Sequence, residues 1–155
     1  MVDYTCKNVL RDEWVSYVKG FSDWRLFVTL TFRDIVTRDQ CEHLFGFLVQ
    51  VLNRDLYGNH YTRIVHHSYF SYCVGFEYQV RGALHMHVLV DQPLHLTLLH
   101  SVWQNVAGFA WVDPANDRAV KYVSKYVTKG GDLAVWKQSN FKMPAFVPLW
   151  FSSSL

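Results

Sequence analysis

Hydrophobic residues recur at two different periods in the first third of the chain. Residues 25–33 alternate between apolar side chains and threonines, which is the period of a strand buried on one side only. Residues 8–19 and residues 37–53 instead carry apolar side chains at helical spacing, and Thr37 or Asp39 is suited to cap the second helix. The pattern predicts helix, strand and helix in this order. The strand places Val28, Leu30 and Phe32 on one side and Thr29 and Thr31 on the other.

The middle of the chain predicts a β-hairpin. Residues 66–79 and 84–91 are rich in β-branched and aromatic residues, and the short connection between them, 80–83, contains Gly82. Helices interleaved with antiparallel strands predict an α+β fold, in which helices pack on an antiparallel sheet. The remaining predicted elements are a helix from Pro93 to about Asn105, a strand over 108–112 and a helix from about Asn116 to Lys129, which Gly130 and Gly131 end.

Chain length and composition predict one domain over residues 1–155. Half of the residues are hydrophobic and 18% are charged, a balance that excludes a disordered chain and supports a compact fold. Residues 132–155 contain scattered aromatic residues, two prolines and a terminal run of serines. They are predicted to form a loose C-terminal extension.

Charge and cysteine content restrict the class of protein only broadly. The formal net charge is +2, so a nucleic-acid surface must come from local clustering of basic residues. Cys6, Cys41 and Cys73 lack CxxC spacing, which argues against a disulfide framework and a zinc–cysteine site. The sequence has no recognisable signal peptide and no apolar stretch of membrane-spanning length. We therefore expect a cytoplasmic protein without a membrane partner.

A pair of histidines supplies candidate metal ligands on the second strand of the hairpin. His85 and His87 lie two residues apart, so a strand directs both imidazoles to one face. With a three-residue loop (81–83), Glu77 pairs with His87. The neighbouring pair is then Gln79 and His85, and all four side chains share one face. A two-residue loop instead turns Glu77 to the opposite face.

Two imidazoles and one carboxylate leave coordination positions free for a phosphate oxygen, as a catalytic divalent ion requires. Glu77, His85 and His87 are therefore predicted metal ligands, with Gln79 as a reserve. The alternative is that these are solvated residues of an exposed strand face.

Residues 118–129 predict an amphipathic helix with a reactive face. The segment contains four basic residues and no acidic one. At about 100° per residue, Tyr122 and Tyr126 lie about 40° apart, bordered by cations, while the valines gather on a separate side. Nearby cations favour the phenolate over the phenol, whose ordinary pKa is near 10, and they also attract phosphate. The alternative is a solvated basic face. The basic residues are Arg118, Lys121, Lys125 and Lys129.

Three segments, taken together and in order, resemble the motifs of rolling-circle replication initiators. The third segment is similar to the two-tyrosine branch of the HUH (His-hydrophobic-His) endonucleases found among small phage and plasmid Rep proteins. The resemblance spans roughly residues 25–130. The segments are FVTLTF (27–32), Glu77 with His85-Met86-His87, and Tyr-x-x-Lys-Tyr-x-x-Lys from Tyr122 to Lys129.

The resemblance implies a fold, a cofactor and a reaction. The fold is a sheet of about five antiparallel strands, related to the ferredoxin-like and RNA-recognition-motif folds. The cofactor is Mg²⁺ or Mn²⁺, bound by the two histidines and an upstream acidic residue, here His85, His87 and Glu77. One tyrosine attacks a phosphate of single-stranded DNA, keeps the 5′ end as a phosphotyrosine and frees a 3′-hydroxyl that primes replication.

The same resemblance distributes roles along the last helix. Tyr122 and Tyr126 carry over as the two nucleophiles, with Lys125 as the orienting and charge-stabilising group. We expect Tyr122 to make the first nick and Tyr126 to act in strand transfer or joining. Because these residues contain no P-loop pattern, unwinding is expected from a separate helicase. Contacts to the DNA backbone are expected from Arg118, Lys121 and Lys129.

Other interpretations remain open. A plasmid-transfer relaxase or a tyrosine transposase has the same chemistry, although histidines that precede the tyrosines fit Rep proteins and such transposases better. A non-catalytic RNA-recognition-like module would bind nucleic acid through stacked aromatic residues, but it needs no metal ligands. In a structural interpretation His85 and His87 form an oligomer contact, which no other feature of the sequence supports.

Overall fold

The computed structural model describes residues 4–63, 69–80, 82–127 and 133–136. These residues form four α-helices, five strands and two short 3-10 turns. None of the described helices is long and apolar enough to cross a membrane. In chain order the elements are α1 (Tyr4–Phe21), β1 (Leu26–Thr31), α2 (Arg38–Tyr57), a 3-10 turn (Tyr61–Arg63), β2 (Tyr72–Tyr78), β3 (Leu84–Val90), α3 (Leu96–Val106), β4 (Ala110–Pro114), α4 (Asp117–Ser124), a second 3-10 turn (Lys125–Val127) and β5 (Leu133–Trp136).

All five strands join in one antiparallel sheet with the order β4-β1-β3-β2-β5. The succession β1-α2-β2-β3-α3-β4 is the βαββαβ arrangement of ferredoxin-like folds. The predicted α+β class and the antiparallel sheet of about five strands are therefore confirmed. Strand β5 extends the sheet beyond β2. It lies within 132–155, for which composition predicts only a loose extension; residues 137–155 fall outside the described residues.

Each face of the sheet has its own apolar core. Helices α2 and α3 cover one face, where Leu30 and Met86 are buried. Helices α1 and α4 cover part of the other face, where Leu89 is buried against Val18 and Val123. The remainder of this second face carries polar side chains from β1, β2 and β3, because alternate residues of each strand point to it. We call the first face the apolar face and the second the site face.

The β2–β3 hairpin has a different register from the predicted one. Glu77 pairs with His85, and Gly75 pairs with His87, whereas the predicted loop pairs Glu77 with His87. The Gln79 amide donates to the Ala83 carbonyl at 2.9 Å, so the loop consists of residues 80–82, one position earlier than predicted. Gly82 allows this tight loop through its positive φ of 79°. The loop keeps an odd length, so the predicted sharing of one face survives the change in pairing.

Local hydrogen bonds explain where α2 and α4 begin. The Thr37 hydroxyl accepts from the Gln40 amide at 3.2 Å, and the Gln40 side chain accepts from the Thr37 amide at 2.9 Å. This reciprocal capping box selects Thr37 over the other predicted cap. The Asn116 side chain caps α4 by accepting from the amides of Arg118 and Ala119.

The α-helical part of α4 is shorter than predicted. It ends at Ser124 and continues as a 3-10 turn, whereas the sequence pattern predicts a helix to Lys129; residues 128–132 lie outside the described residues. Packing explains the tighter turn. Gly75 leaves a space against the sheet, and the ring of Tyr126 fills it instead of lying on the exposed side.

Candidate active site

Strands β2 and β3 bring a carboxylate and an imidazole into contact on the site face. Glu77 Oε2 lies 3.1 Å from His87 Nε2. The contact is diagonal, because the residue directly opposite His87 is Gly75, which has no side chain to intervene. His87 is buried and Glu77 is half-buried, so the pair has only limited access to water.

Thr29 of β1 holds the other side of the His87 ring. It is the cross-strand partner of His87, and its hydroxyl lies 3.2 Å from His87 Nδ1. Burial lowers the pKa of His87, although the adjacent Glu77 carboxylate opposes this effect. The ring is therefore neutral at neutral pH, with Nε2–H donating to Glu77 and the Thr29 hydroxyl donating to Nδ1. Thr29 thus orients the imidazole; the alternation of β1 already predicts its face, but not this contact.

His85 shares the site face, but its side chain has another partner. The Gln79 side-chain nitrogen lies 3.1 Å from His85 Nδ1, and His85 is half-buried. Among the described residues, no three His, Cys, Asp or Glu side chains converge as a metal site. Of the predicted ligands, Glu77 and His87 meet, while His85 turns to Gln79. The donor set fits a divalent ion in its chemistry, and the ring of His85 is the part that is not yet aligned.

Tyr122 of α4 is the accessible phenol of the site. Its side chain is 37% exposed, and its hydroxyl donates to Glu77 Oε2 over a long 3.5 Å. The ring lies edge-on to His87, with 4.8 Å between the centroids, and edge-on to Phe27. Lys125 Nζ lies 3.3 Å from the Tyr122 ring centroid, a cation–π contact. The phenol is therefore held between a cation and a carboxylate.

The charge state of Glu77 follows from its neighbours. Partial burial by itself would raise the pKa of this carboxyl group. The hydrogen bond with His87, the nearby Tyr126 hydroxyl and the positive charge of Lys125 outweigh burial and lower the pKa of Glu77 below its usual value. The group is a carboxylate at neutral pH and is available to accept a proton.

Tyr126 occupies a different environment from Tyr122. It is 2% exposed, and its ring stacks on His87 at 5.5 Å with an angle of 2° between the planes. A Cβ atom on Gly75 would lie 2.5 Å from Tyr126 Cδ2, so the stack depends on that glycine. Burial raises the pKa of Tyr126, and the neighbouring Tyr122 and Glu77 raise it further. Its hydroxyl makes no hydrogen bond of standard geometry among the described residues. The two tyrosines are therefore not equivalent.

The predicted DNA-binding cations lie at different places around the site. Arg118 is exposed and lines a cavity of about 410 Å³ together with Phe27, Asp113 and Tyr122. Lys121 is exposed on α4, and Lys129 falls outside the described residues. Arg118 is thus the predicted phosphate contact whose place beside the accessible tyrosine is described.

Several residues of the site carry no motif that sequence reasoning could use. Phe27 stacks on His87 at 6.0 Å, and Gly75 admits the ring of Tyr126. Both positions lie on the site face. The only available signal was the strand alternation, which assigns a face but does not identify the contacts between strands.

The fold and this arrangement define an α+β domain of ferredoxin-like topology with a His–Glu–Tyr–Lys cluster on one sheet face. The family model of the replication-associated protein ORF2 matches residues 25–131, more than two thirds of the chain. The chain belongs to this family. Neither a curated protein nor a solved structure matched it. Membership gives the chain a replication-associated role, which agrees with the predicted resemblance at the level of a Rep-type protein.

Proposed function

We propose that the chain is an HUH endonuclease that nicks single-stranded DNA through a 5′-phosphotyrosine and so initiates rolling-circle replication of a phage or plasmid. One observation carries this proposal: the exposed Tyr122 hydroxyl faces the Glu77–His87 pair, with the Lys125 ammonium against its ring. An exposed phenol beside a proton acceptor and a cation is the arrangement that a tyrosine nucleophile needs. A solvated tyrosine without such a role requires none of these contacts.

The reaction is an exchange of phosphate esters. Tyr122 Oη attacks phosphorus, the bond from phosphorus to the 3′-oxygen breaks, and the 5′ end remains on the tyrosine. The phenolic proton passes to Glu77, towards which the hydroxyl already points, and the departing 3′-oxygen takes up a proton to become a hydroxyl. Lys125 stabilises the phenolate and the negative charge that develops on the phosphate.

The second tyrosine requires a rearrangement before it can act. In strand transfer or joining, a tyrosine or a 3′-hydroxyl attacks again, and one phosphate ester replaces another. Tyr126 is stacked on His87 and buried, so its ring must leave this stack before it reaches a phosphate. We therefore assign the first nick to Tyr122 and the later transesterification to Tyr126.

A divalent ion completes the proposal. Glu77, His85 and His87 would hold Mn²⁺ or Mg²⁺ once His85 exchanges Gln79 for the ion. The bound ion supplies Lewis-acid polarisation of a phosphate oxygen. Metal binding is measured without DNA, from the rise in melting temperature when Mn²⁺ is added. His85→Ala should lose this rise, while Gln79→Ala, the matched control, should keep it; an equal rise in both variants and the parent would remove His85 from the ligand set.

The nicking activity is tested by trapping its intermediate. The protein is incubated with Mn²⁺ and a labelled pool of single-stranded oligonucleotides, and a covalent adduct is sought on a denaturing gel. Mass spectrometry should place the DNA on Tyr122, and adding a chelator should abolish the adduct while the fold persists. An adduct on Tyr126 alone would reverse the assignment of the first nick. Absence of any adduct would leave the nucleic-acid binding module as the function.

Lys125 offers a separate test of how the site works. Lys125→Ala should lower the cleavage rate by a larger factor than it lowers DNA affinity, because the ammonium acts on charge that develops during the reaction. Arg118→Ala is the matched control, since a phosphate contact away from the phenol should weaken affinity, and more so at low salt. Equal loss of rate and affinity in Lys125→Ala would reduce this lysine to a phosphate anchor.

A further inference from the structure

Two large aromatic side chains are exposed side by side at the β4 edge of the sheet. Phe109 is 72% exposed and Trp111 is 69% exposed. Exposed aromatic rings that lie together on the surface of a domain mark places that bind something. Neither side chain contributes to the apolar cores or to the site contacts described above.

The strand register places these rings on the site face. Trp111 pairs with Thr29, and Thr29 pairs with His87, so the three residues form a row across the sheet. Ala110 and Val112 pack in the core of the apolar face, and alternation directs Phe109 and Trp111 the opposite way. Two strand spacings, about 10 Å, separate the backbone of Trp111 from that of His87.

The indole is held in one orientation. Trp111 Nε1 donates to Asp113 Oδ2 at 3.0 Å, which fixes the ring although most of it is exposed. Asp113 in turn lines the cavity of about 410 Å³ that also contains Arg118 and Tyr122. The exposed rings, the cavity and the accessible phenol therefore follow one another along the same side of the molecule.

We propose that Phe109 and Trp111 form a stacking platform for the bases of single-stranded DNA, which leads the strand across the site face to Tyr122. The inference rests on the proposed function and names the surface that receives the strand. Unpaired bases stack on aromatic side chains whatever their identity, and a nearby cation such as Arg118 neutralises phosphate. Duplex DNA has no free base faces to offer to the two rings. The platform thus favours a single strand over a duplex.

The platform is tested by DNA binding in a Tyr122→Phe background, so that chemistry cannot trap the complex. The probe is a fluorescein-labelled oligothymidylate of about 20 nucleotides, compared by anisotropy with an abasic strand of equal length. Trp111→Ala and Phe109→Ala should each weaken oligothymidylate binding by about 5-fold or more, with little change for the abasic strand. Trp111→Phe should recover most of the affinity. Phe47→Ala removes an exposed ring from α2, on the apolar face, and should change nothing.

The outcomes separate this inference from the proposed function. Unchanged affinity in Trp111→Ala, equal weakening for the abasic strand, or no binding of oligothymidylate at all would overturn the platform. A changed oligomeric mass with unchanged DNA affinity would overturn it in favour of a contact between copies of the chain. Adduct formation by the protein with native Tyr122 is measured separately. Loss of the adduct with retained Trp111-dependent binding would refute the nuclease and leave the platform standing.

Discussion

The two faces of the sheet are made by the same strands and yet serve different ends. On β3, Met86 points to the apolar face and is fully buried, while His85 and His87, on either side of it, point to the site face. The apolar face is covered by α2 and α3, which pack against apolar side chains of β3. On the site face α1 and α4 cover only the end near Leu89. The uncovered end holds the polar side chains that do the proposed chemistry.

The difference shows how one sheet separates stability from activity. A polar group buried without partners costs free energy, so polar residues gather where neighbours from three strands and α4 can satisfy them. His87 meets this condition through Glu77 and Thr29. Substitutions on the apolar face should therefore change the free energy of unfolding, and substitutions on the site face should change the reaction.

The largest effect is expected from Tyr122→Phe. Removing the attacking oxygen should lower adduct formation by at least about a thousandfold. The free energy of unfolding should change by less than about 0.5 kcal/mol, because the residue is partly exposed. Quantitative gels and urea denaturation measure the two quantities.

Tyr126→Phe is the matched control for the nucleophile. It should keep the first nick, since that hydroxyl is buried and lacks a hydrogen bond of standard geometry among the described residues. Full nicking by Tyr122→Phe together with loss of nicking in Tyr126→Phe would exchange the two roles.

Adjacent residues of β3 provide the second comparison. Met86→Ala should lower the free energy of unfolding by about 2–5 kcal/mol, through lost burial and the cavity it leaves. His85→Ala should lower it by less than about 1 kcal/mol in metal-free buffer, because the ring is half-buried and lies at the uncovered end. Urea denaturation of both variants decides this, and similar losses would show that the two faces do not divide stability from activity.

Alkaline pH should weaken the apolar face. Burial raises the pKa of Tyr72 to about 12, from an ordinary value of 10. Between these values the unfolded chain loses its phenolic proton while the folded chain keeps it, so stability falls as pH rises from about 10 to 12. The loss is about 2–3 kcal/mol for this shift. Tyr72→Phe should remove that part of the pH dependence, and an unchanged slope from pH 9 to 12 in urea denaturation would contradict the assignment.

Two glycines give the smallest effect, with opposite signs. Gly75→Ala should cost about 1–3 kcal/mol, because the added Cβ would lie 2.5 Å from Tyr126 Cδ2. Gly46→Ala, in the middle of α2, meets no atom within 4 Å and should stabilise the chain by about 0.5–1 kcal/mol. Melting temperatures of the two variants test the pair. Stabilisation by Gly75→Ala would mean that Tyr126 yields easily and that the stack on His87 is weak.

Hydrophobic period carried much of the fold. The half-buried β1 and the hairpin strands followed from alternation and from β-propensity, while the helices followed from apolar spacing. Element ends were less accurate: α1 spans Tyr4–Phe21 and α2 reaches Tyr57, beyond the predicted 8–19 and about Asn53. Strand β5 had no signal of its own, because an edge strand of four residues gains its stability from pairing with β2 rather than from an internal pattern.

The sequence by itself determined which residues share a face. An odd loop between Glu77 and His85 and a two-residue spacing between His85 and His87 were enough, since side chains alternate along any strand. The spacing of Tyr122 and Lys125 likewise put them on neighbouring sides of one helix.

Only the tertiary structure decided which of these residues touch. The diagonal contact of Glu77 with His87, the turn of His85 to Gln79 and the burial of Tyr126 depend on the space above Gly75 and on how α4 packs against the sheet. Such contacts join strands and helices far apart in the chain, and no local period records the distances between them. That is why the helical spacing placed both tyrosines on one side of the helix, whereas the folded domain exposes Tyr122 and buries Tyr126.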